Sequence, residues 1–284
     1  MKKLKEAIFE ITKNERDSDY RNQDKAMKIF INFSLAMSLN YYIQVAKIRR
    51  VDMTSRLLVS QSMIQEELSA LVYEHSKLVK PYLLYLDLVR ASEPFTDVLS
   101  GLYEETLLTR GRADALGEFY TPQDLARLSS MLLGVDLPSA LEKGSVWLTE
   151  PCCGAGSLFL APLHRIWSET PEKLKNVKLV INDLNGLAVR AAMLQIVSNL
   201  MIHSIELGEI HVFISNLITE YMKPGSHFIS LVPAPLETNA FVRYERFASE
   251  VFNNIDSFKK EKARALSWEK TDATSSPSGE NIEN

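Results

Sequence analysis

Apolar residues recur with the period of a helix through the first hundred residues of the chain. In QSMIQEELSALVYEHSKLV, residues 61–79, they stand at Ile64, Leu68, Leu71, Val72 and Leu78. Glycine is absent from residues 1–100, and proline occurs there only at positions 81 and 94. The pattern predicts an N-terminal helical domain over residues 1–110, with a new helix beginning near Ser92-Glu93-Pro94.

The pattern changes to alternating strands and helices after Gly117. Thr121-Pro122 begins an amphipathic helix, and one apolar face of it is formed by Leu125, Leu128, Met131 and Leu132. Four β-prone runs follow, at residues 145–149, 177–181, 210–214 and 227–232, with helices expected at 157–168 and 186–202. This alternation predicts an α/β fold, in which the helical domain is followed by a partial Rossmann-like parallel sheet.

Composition sets the limits of the α/β domain and the class of protein. We expect this domain over residues 111–266, followed by a polar, disordered tail over residues 267–284. The 284 residues carry a formal net charge of −4, whereas a general nucleic-acid coat protein is usually basic. Any contact with nucleic acid would therefore need a local basic patch or a partner.

Two features bear on location. Ile29–Ala46 has no charged residue, yet it contains asparagine, glutamine and serine side chains that are unfavourable in lipid. A buried helix is therefore preferred to a membrane span. The first ten residues, MKKLKEAIFE, lack the apolar core of a signal peptide. We expect a cytoplasmic protein that does not cross a membrane.

The only two cysteines, Cys152 and Cys153, are adjacent in the short loop TEPCCGAGSLFLA, residues 149–161. Adjacent thiols cannot readily occupy two corners of a tetrahedral metal site, and the five histidines are scattered along the chain, so we expect no metal. Gly154 and Gly156 follow a strand and precede a helix, where a backbone turns tightly and approaches a ligand. The loop is neither a P-loop nor G-x-G-x-x-G. A tight turn without a ligand remains the alternative.

An acidic residue follows the second predicted strand. Asp183 comes directly after Val180-Ile181-Asn182, and in doubly wound folds a carboxylate at this position accepts hydrogen bonds from ribose hydroxyl groups. The alternative is a surface aspartate at the end of a strand. Together with the glycine loop, Asp183 favours a nucleotide-like ligand.

Three motifs now occur in a fixed order: GEFYTP at residues 117–122, EPCCGAGSL at 150–158 and NDLN at 182–185. Together they resemble the N6-adenine DNA methyltransferases related to the modification subunits of type I restriction systems. The segment DVLSGLYEETLLT, residues 97–109, also resembles the helical segment that leads into these motifs. The resemblance covers roughly residues 95–232 and implies a sheet of the class I methyltransferase type.

The resemblance implies S-adenosylmethionine as cofactor, DNA as a partner, and a specificity or restriction subunit as a second partner. The cofactor-binding residues that it implies are Phe119, Tyr120, Thr121, Glu150, Pro151, Gly154, Gly156, Asp183 and Leu184. The aromatic pair and the threonine would line the methionine end, and the glutamate would face the ammonium group. The glycines would let the backbone come close, the aspartate would bind the ribose, and the leucine would pack on the adenine ring. Ala155 stands where the family has Ser or Thr.

The family's catalytic motif, Asn-Pro-Pro-[Phe/Tyr] at the end of the fourth strand, is not found in this chain. No proline follows an asparagine or an aspartate anywhere in the sequence. In register, Val232 stands where the asparagine should be, and Pro235 stands in place of the aromatic residue. Valine cannot accept a hydrogen bond from the adenine amine, and proline offers no flat ring for a flipped base.

Three hypotheses follow from these residues. The chain is a DNA adenine-N6 methyltransferase, or a modification subunit, that is catalytically impaired alone. Alternatively, it is a non-catalytic relative that binds DNA or a partner, as a decoy or regulator of restriction–modification machinery. The third hypothesis is an unrelated α/β protein or a methyltransferase acting on another substrate, because many cofactor pockets of this shape serve other acceptors.

Overall fold

The computed structural model describes residues 1–16, 18–60, 75–108, 121–133, 137–221, 223 and 225–233. By internal contacts the chain divides into the units Met1–Phe241 and Val242–Asn284, and every described residue belongs to the first. Three expectations fall on residues outside the described ones and remain predictions. They are the helix over residues 61–74, the domain boundary near residue 110 and the tail from residue 267.

Three helices form the amino-terminal part: α1 Lys2–Phe9, α2 Asp19–Ile48 and α3 His75–Ala91. Among the described helices, α2 alone is long and apolar enough to cross a membrane, and 78% of its most apolar stretch is buried inside the protein. Its buried Phe30 meets the ring of Tyr85 in α3 edge-on, with ring centroids 6.1 Å apart. This burial is that of a core helix, in agreement with the preference drawn from its polar residues.

Further helical elements follow in the chain. They are α4 Ser100–Tyr103, a π-helical turn Glu104–Leu108, α5 Gln123–Leu133, α6 Leu137–Lys143, α7 Ser157–Glu169, a 3-10 helix Pro171–Asn176 and α8 Gly186–Ile202. The bounds of α7 and α8 agree with the sequence predictions, and α5 begins directly after the predicted Thr121-Pro122 start. The apolar face of α5 is present, but its leucine and methionine side chains point to solvent, with exposed fractions between 51% and 66%. The small residues Ala126 and Ser130 are buried instead, and Arg165 of α7 donates to the Ser130 carbonyl at 3.3 Å.

The sheet has five strands: β1 Leu57–Val59, β2 Val146–Glu150, β3 Val177–Asp183, β4 Glu209–Ile214 and β5 His227–Leu231. Hydrogen bonds join them in the order β1-β5-β4-β3-β2. The last four agree with the predicted strands to within two residues. Sequence analysis missed β1, because a strand of three residues is too short to show an alternating pattern.

The sheet is mixed, which corrects the expected parallel arrangement. β2, β3 and β4 run parallel, whereas β5 runs antiparallel to β4 and β1 antiparallel to β5. A parallel connection needs a crossover of a dozen or more residues, usually a helix. The described residues between β4 and β5 form only turns and bends, so β5 returns beside β4 in the opposite direction. The carboxyl end of β5 therefore lies beside the amino end of β4, and so at the opposite end of the strands from the carboxyl ends of β2, β3 and β4.

The crossover helix α8 buries polar side chains as well as apolar ones. α8 buries every residue from Ala188 to Ile202 between α2 and the sheet, which explains why it is apolar on nearly all sides. The buried polar residues of α8 include Gln195 and Asn199, which are 1% and 2% exposed. Both lie on the side of α8 that meets residues 95–99.

The side-chain amide of Gln195 makes four hydrogen bonds. Its Oε1 accepts from the N–H groups of Val98 at 2.8 Å and Leu99 at 3.2 Å. Its Nε2 donates to Asp97 Oδ1 at 2.9 Å and to the carbonyl of Ala155 at 3.0 Å. An amide has two donors and two acceptor positions, so the hydrogen-bonding capacity of Gln195 is used completely.

The sequence predicted a helix beginning near Pro94, and this network explains why none begins there. Phe95 takes a φ of 61°, in the left-handed region, and its N–H donates to Asn199 Oδ1 at 2.6 Å. Phe95, Val98 and Leu99 give their N–H groups to side chains of α8 and not to helical carbonyls. The helix therefore starts later, at Ser100.

Replacing Gln195 with methionine should lower the free energy of unfolding by about 3–4 kcal/mol, because it leaves buried N–H, carbonyl and carboxylate groups without partners. Chemical denaturation would measure the change. The control is Gln44→Met on α2, whose amide contacts only Asn40 at the surface, and which should change stability by less than about 0.5 kcal/mol. Equal effects of the two substitutions would contradict the role given to Gln195.

Candidate functional site

A glycine loop joins β2 to α7. Cys153 holds its base, because its N–H donates to the carbonyl of Asn182 in β3 at 2.9 Å and its carbonyl accepts from Gly156 N–H at 2.9 Å. Gly154 and Gly156 have φ values of 50° and 123°. A Cβ on Gly156 would lie 2.9 Å from the ring of Phe159, whereas Gly154 faces open space with no atom within 4 Å of such a Cβ. Glycine is thus required for packing at one position and leaves room at the other.

The carboxylate of Asp183, at the end of β3, ties the loop to the next strand. Its Oδ2 accepts from Gly154 N–H at 2.8 Å, and its Oδ1 accepts from Asn185 N–H at 2.8 Å. A carboxylate offers about four lone-pair positions, so roughly two remain for additional donors. Asp183 can therefore shape the loop and bind a hydroxyl-bearing ligand at the same time.

A buried amide fixes the carboxyl ends of the three parallel strands. Asn182 is 2% exposed, and its Nδ2 donates to the carbonyls of Pro151 at 3.0 Å and Ser215 at 3.1 Å. Its Oδ1 accepts from the Ser215 hydroxyl at 2.7 Å. Residues at the ends of β2, β3 and β4 are thereby held together. Sequence reasoning missed this role, because asparagine before an acidic residue gives no separate signal.

A cavity of about 540 Å³ lies at these carboxyl ends, the position at which parallel α/β sheets bind ligands. Of the residues predicted from sequence, its wall includes Thr121, Pro151, Gly154, Asp183 and Leu184. Glu150 and Gly156 do not line the cavity; Glu150 Oε1 accepts from Cys152 N–H at 3.1 Å, next to the loop. Phe119 and Tyr120 lie outside the described residues.

Sequence analysis did not assign several other residues of the cavity wall. They are contributed by α4 and the π-helical turn (Ser100, Tyr103, Glu104) and by the segment after β4 (Asn216, Leu217, Ile218). Tyr103 OH accepts from Asn185 Nδ2 at 3.0 Å, which joins this wall to the start of α8. The signal available in the sequence was the position of SGLYE within the segment that resembles the family.

One polar group of the wall lacks a partner. Within the described residues, Ser100 Oγ is buried and makes no hydrogen bond. A buried hydroxyl without a partner is unfavourable, so a ligand that supplied one would be stabilised there. Together with the space beside Gly154, this hydroxyl shows that the wall is compatible with a polar ligand of nucleoside size.

The electrostatics of the loop disfavour thiolate chemistry. Burial raises the pKa of Glu150 above its ordinary value, and the charge of Asp183 adds to this, while the Cys152 N–H opposes it. Burial also raises the pKa of both cysteines, and the neighbouring carboxylates raise them further. Both thiols are therefore protonated at neutral pH and are poor nucleophiles and metal ligands. In the part of the chain that the structure describes, no group of three or more His, Cys, Asp or Glu residues could hold a metal ion.

The segment after β5 lies away from the cavity. Val232 follows the carboxyl end of β5, and its N–H donates to the carbonyl of Arg56 at 2.8 Å. The Arg56 guanidinium donates in turn to the carbonyl of Pro233 at 3.1 Å. Because β5 is antiparallel to β4, this segment lies near the amino ends of the parallel strands, whereas the glycine loop lies at their carboxyl ends. Pro235 lies outside the described residues.

Comparison with known families gives one match. The family model described as N-6 DNA Methylase matches residues 95–265, which is more than half of the 284 residues. The matched range begins at Phe95 and includes the glycine loop, Asp183 and Val232. None of the curated proteins compared with the chain matches it.

Substituting Gly156 with alanine should lower the free energy of unfolding by about 2–4 kcal/mol, because the new Cβ meets the Phe159 ring and the backbone conformation is unfavourable for an L-residue. Gly154→Ala is the matched control in the same loop. It should lower stability by only about 1 kcal/mol, since nothing contacts its Cβ. Thermal and chemical denaturation would compare the two. A larger loss for Gly154→Ala would be inconsistent with this loop geometry.

Proposed function

The chain belongs to the N-6 DNA Methylase family, and we propose that it is a restriction–modification protein that binds S-adenosylmethionine and DNA but does not complete adenine methylation unaided. The family implies methyl transfer from S-adenosylmethionine and DNA as the substrate. The observation that carries the proposal is the cavity between the glycine loop, Asp183 and the π-helical turn at the carboxyl ends of the parallel strands.

The residues of the wall suit the parts of this cofactor. We assign the methionine end to Thr121 together with Phe119 and Tyr120, and the ribose to the free lone pairs of Asp183. Leu184, which is 64% exposed in the cavity wall, would pack on the adenine ring. Gly154 gives space for close approach of the backbone, with Pro151 beside it. Gly156 supports this loop from behind.

The charge of the site also supports a cationic ligand. S-adenosylmethionine carries a sulfonium and an ammonium group, and three carboxylates lie in or beside the wall: Glu104, Glu150 and Asp183. We assign the ammonium to Glu150, with Glu104 as a second carboxylate. Burial disfavours the ionised form of Glu150, so a bound cation would relieve an unfavourable charge.

Transfer to adenine also requires a fixed acceptor for the amine and a flat ring against the flipped base. The absence of any Asn-Pro or Asp-Pro pair from the sequence argues against such a site in this chain. The antiparallel course of β5 supports the same conclusion, because it carries Val232 away from the cavity. We infer that a partner, such as a specificity or restriction subunit, completes the reaction in the cytoplasm.

The missing Asn-Pro or Asp-Pro pair also favours a second candidate function. Without the family's catalytic motif, the chain would serve as a non-catalytic relative that binds DNA or a partner of restriction–modification machinery. In that case cofactor binding would stabilise the fold or regulate partner binding, without methyl transfer. The two candidates differ in whether a partner restores activity.

Calorimetric titration with S-adenosylmethionine should show saturable binding, weakened about 5- to 20-fold by Leu184→Ala through lost contact with the adenine ring. The matched control is Leu58→Ala, because Leu58 is similarly exposed, at 63%, but lies in β1 away from the cavity. It should leave affinity unchanged. Absence of binding at millimolar cofactor would withdraw the assignment of the cavity.

Transfer of a labelled methyl group from S-adenosylmethionine to duplex DNA should be undetectable with the purified chain alone. The reason is that the sequence has no Asn-Pro or Asp-Pro pair to supply the family's acceptor for the adenine amine. Saturable cofactor binding in the same sample would serve as the control for a folded site. Label incorporated into N6 of adenine by the pure chain would refute the impaired-catalysis proposal, and the acceptor would then have to be sought elsewhere in the sequence.

A further inference from the structure

The end of α2 and the start of β1 form a basic corner that the proposed function does not use. We call it the α2 corner and define it by Lys47, Arg49, Arg50 and Arg56. A groove of about 530 Å³ runs along it, and Lys47 and Arg50 line this groove. The corner contains four cations within ten residues of a chain whose formal net charge is −4. It is thus a local departure from the overall charge.

The backbone at Arg50 is strained. Arg50 takes a φ of 59°, in the left-handed region, directly after the C-cap residue Arg49. The N–H of Val51 donates to the carbonyl of Ala46 at 2.9 Å, and the Arg50 N–H donates to that of Lys47 at 2.9 Å. This is a Schellman-type helix end, at which glycine or asparagine is usual. An arginine here is unfavourable for stability, and such strain concentrates at functional positions.

The side chains of Lys47 and Arg50 are available for a ligand. Both residues are exposed, and in the described part of the chain neither side chain has an ion-pair partner. The groove contains one carboxylate, that of Asp52, which accepts the Thr54 N–H at 2.9 Å. Arg56 lies close enough to Asp52 to lower the pKa of this carboxyl, after the larger effect of its bonds to Thr54. The carboxylate is thus engaged locally, and the corner keeps an excess of positive charge.

We propose that the α2 corner binds the phosphate backbone of duplex DNA through Lys47 and Arg50. Unpaired cations along an open groove suit a polyanion, and contacts with phosphate fix the position of a duplex without reading its sequence. Arg56 is bonded to Val232, which follows the carboxyl end of β5. The corner therefore lies near the amino ends of the parallel strands, whereas the cofactor cavity lies at their carboxyl ends. It is therefore an anchoring site, separate from the place where a base would be modified. The choice of DNA as the polyanion rests on the proposed function.

The test uses the strain at Arg50. Arg50→Gly should raise Tm by about 2–4 °C, because glycine relieves the left-handed conformation. The same substitution should weaken binding of a labelled 25-base-pair duplex about 5- to 15-fold at 50 mM salt. It should also reduce the slope of log affinity against log salt by about 1. Fluorescence anisotropy and thermal denaturation would measure the two effects on the same protein.

Three further variants separate charge from backbone relief. Ser204→Gly is the matched control, because Ser204 also has a left-handed φ, 52°, after the end of α8, with Ile205 N–H bonded to the Leu200 carbonyl. It should leave DNA affinity unchanged. Arg50→Lys keeps the charge and should retain most of the binding, whereas Lys47→Ala should lose about as much as Arg50→Gly.

The outcomes distinguish this inference from the proposed function. Unchanged DNA affinity and salt slope in Arg50→Gly would overturn the α2 corner as a DNA site, and so would the absence of salt-dependent DNA binding by the wild-type chain. An effect on binding of poly-aspartate but not on DNA would identify a site for an acidic protein and would also overturn it. Cofactor titration of Arg50→Gly should match that of the wild type. If the wild type binds DNA as expected but no cofactor, the cavity assignment fails and the anchoring site stands.

Discussion

The four hydrogen bonds of the Gln195 amide connect three segments that are far apart in the sequence. They join residues 97–99 to the middle of α8 and to the glycine loop at Ala155. Asp97 extends the network, because its second oxygen accepts from the Ser157 hydroxyl at 2.7 Å, at the first turn of α7. A buried amide with all its partners is rigid, whereas one with a missing partner is strongly unfavourable. The position of the π-helical turn against the loop therefore depends on a residue that does not line the cavity.

The glycine loop and its partners show what sequence can supply. A strand, two glycines and a helix, followed by an acidic residue after the next parallel strand, determine local geometry with little influence from the rest of the fold. For that reason the bounds of β2, β3, α7 and α8 were predictable, and five of the predicted site residues lie in one cavity wall. The pairing of Glu150 with the loop backbone was not predictable, because the residue type does not reveal where its side chain turns.

The features that sequence did not predict depend on long-range contacts. The direction of β5 follows from the short connection after β4, and a β-prone run reads the same in either direction. Phe95 takes a left-handed conformation because Asn199, about a hundred residues away, binds its N–H. The exposed face of α5 shows the same limit, since helical spacing identifies an apolar face but not the surface that it meets.

The pairing of β1 with β5 has a consequence for the synthesis of the chain. Leu57 lies opposite Leu231, more than 170 residues later, and only a few strand bonds and the contacts of Arg56 join these segments. At a translation rate of about 5–20 residues per second, β1 waits roughly 9–35 s for its partner after leaving the ribosome. During this interval α1 and α2 can already pack, while the strand that follows them has an open edge. The contacts of Arg56 with Val232 and Pro233 are thus among the last parts of the described fold to form on a growing chain.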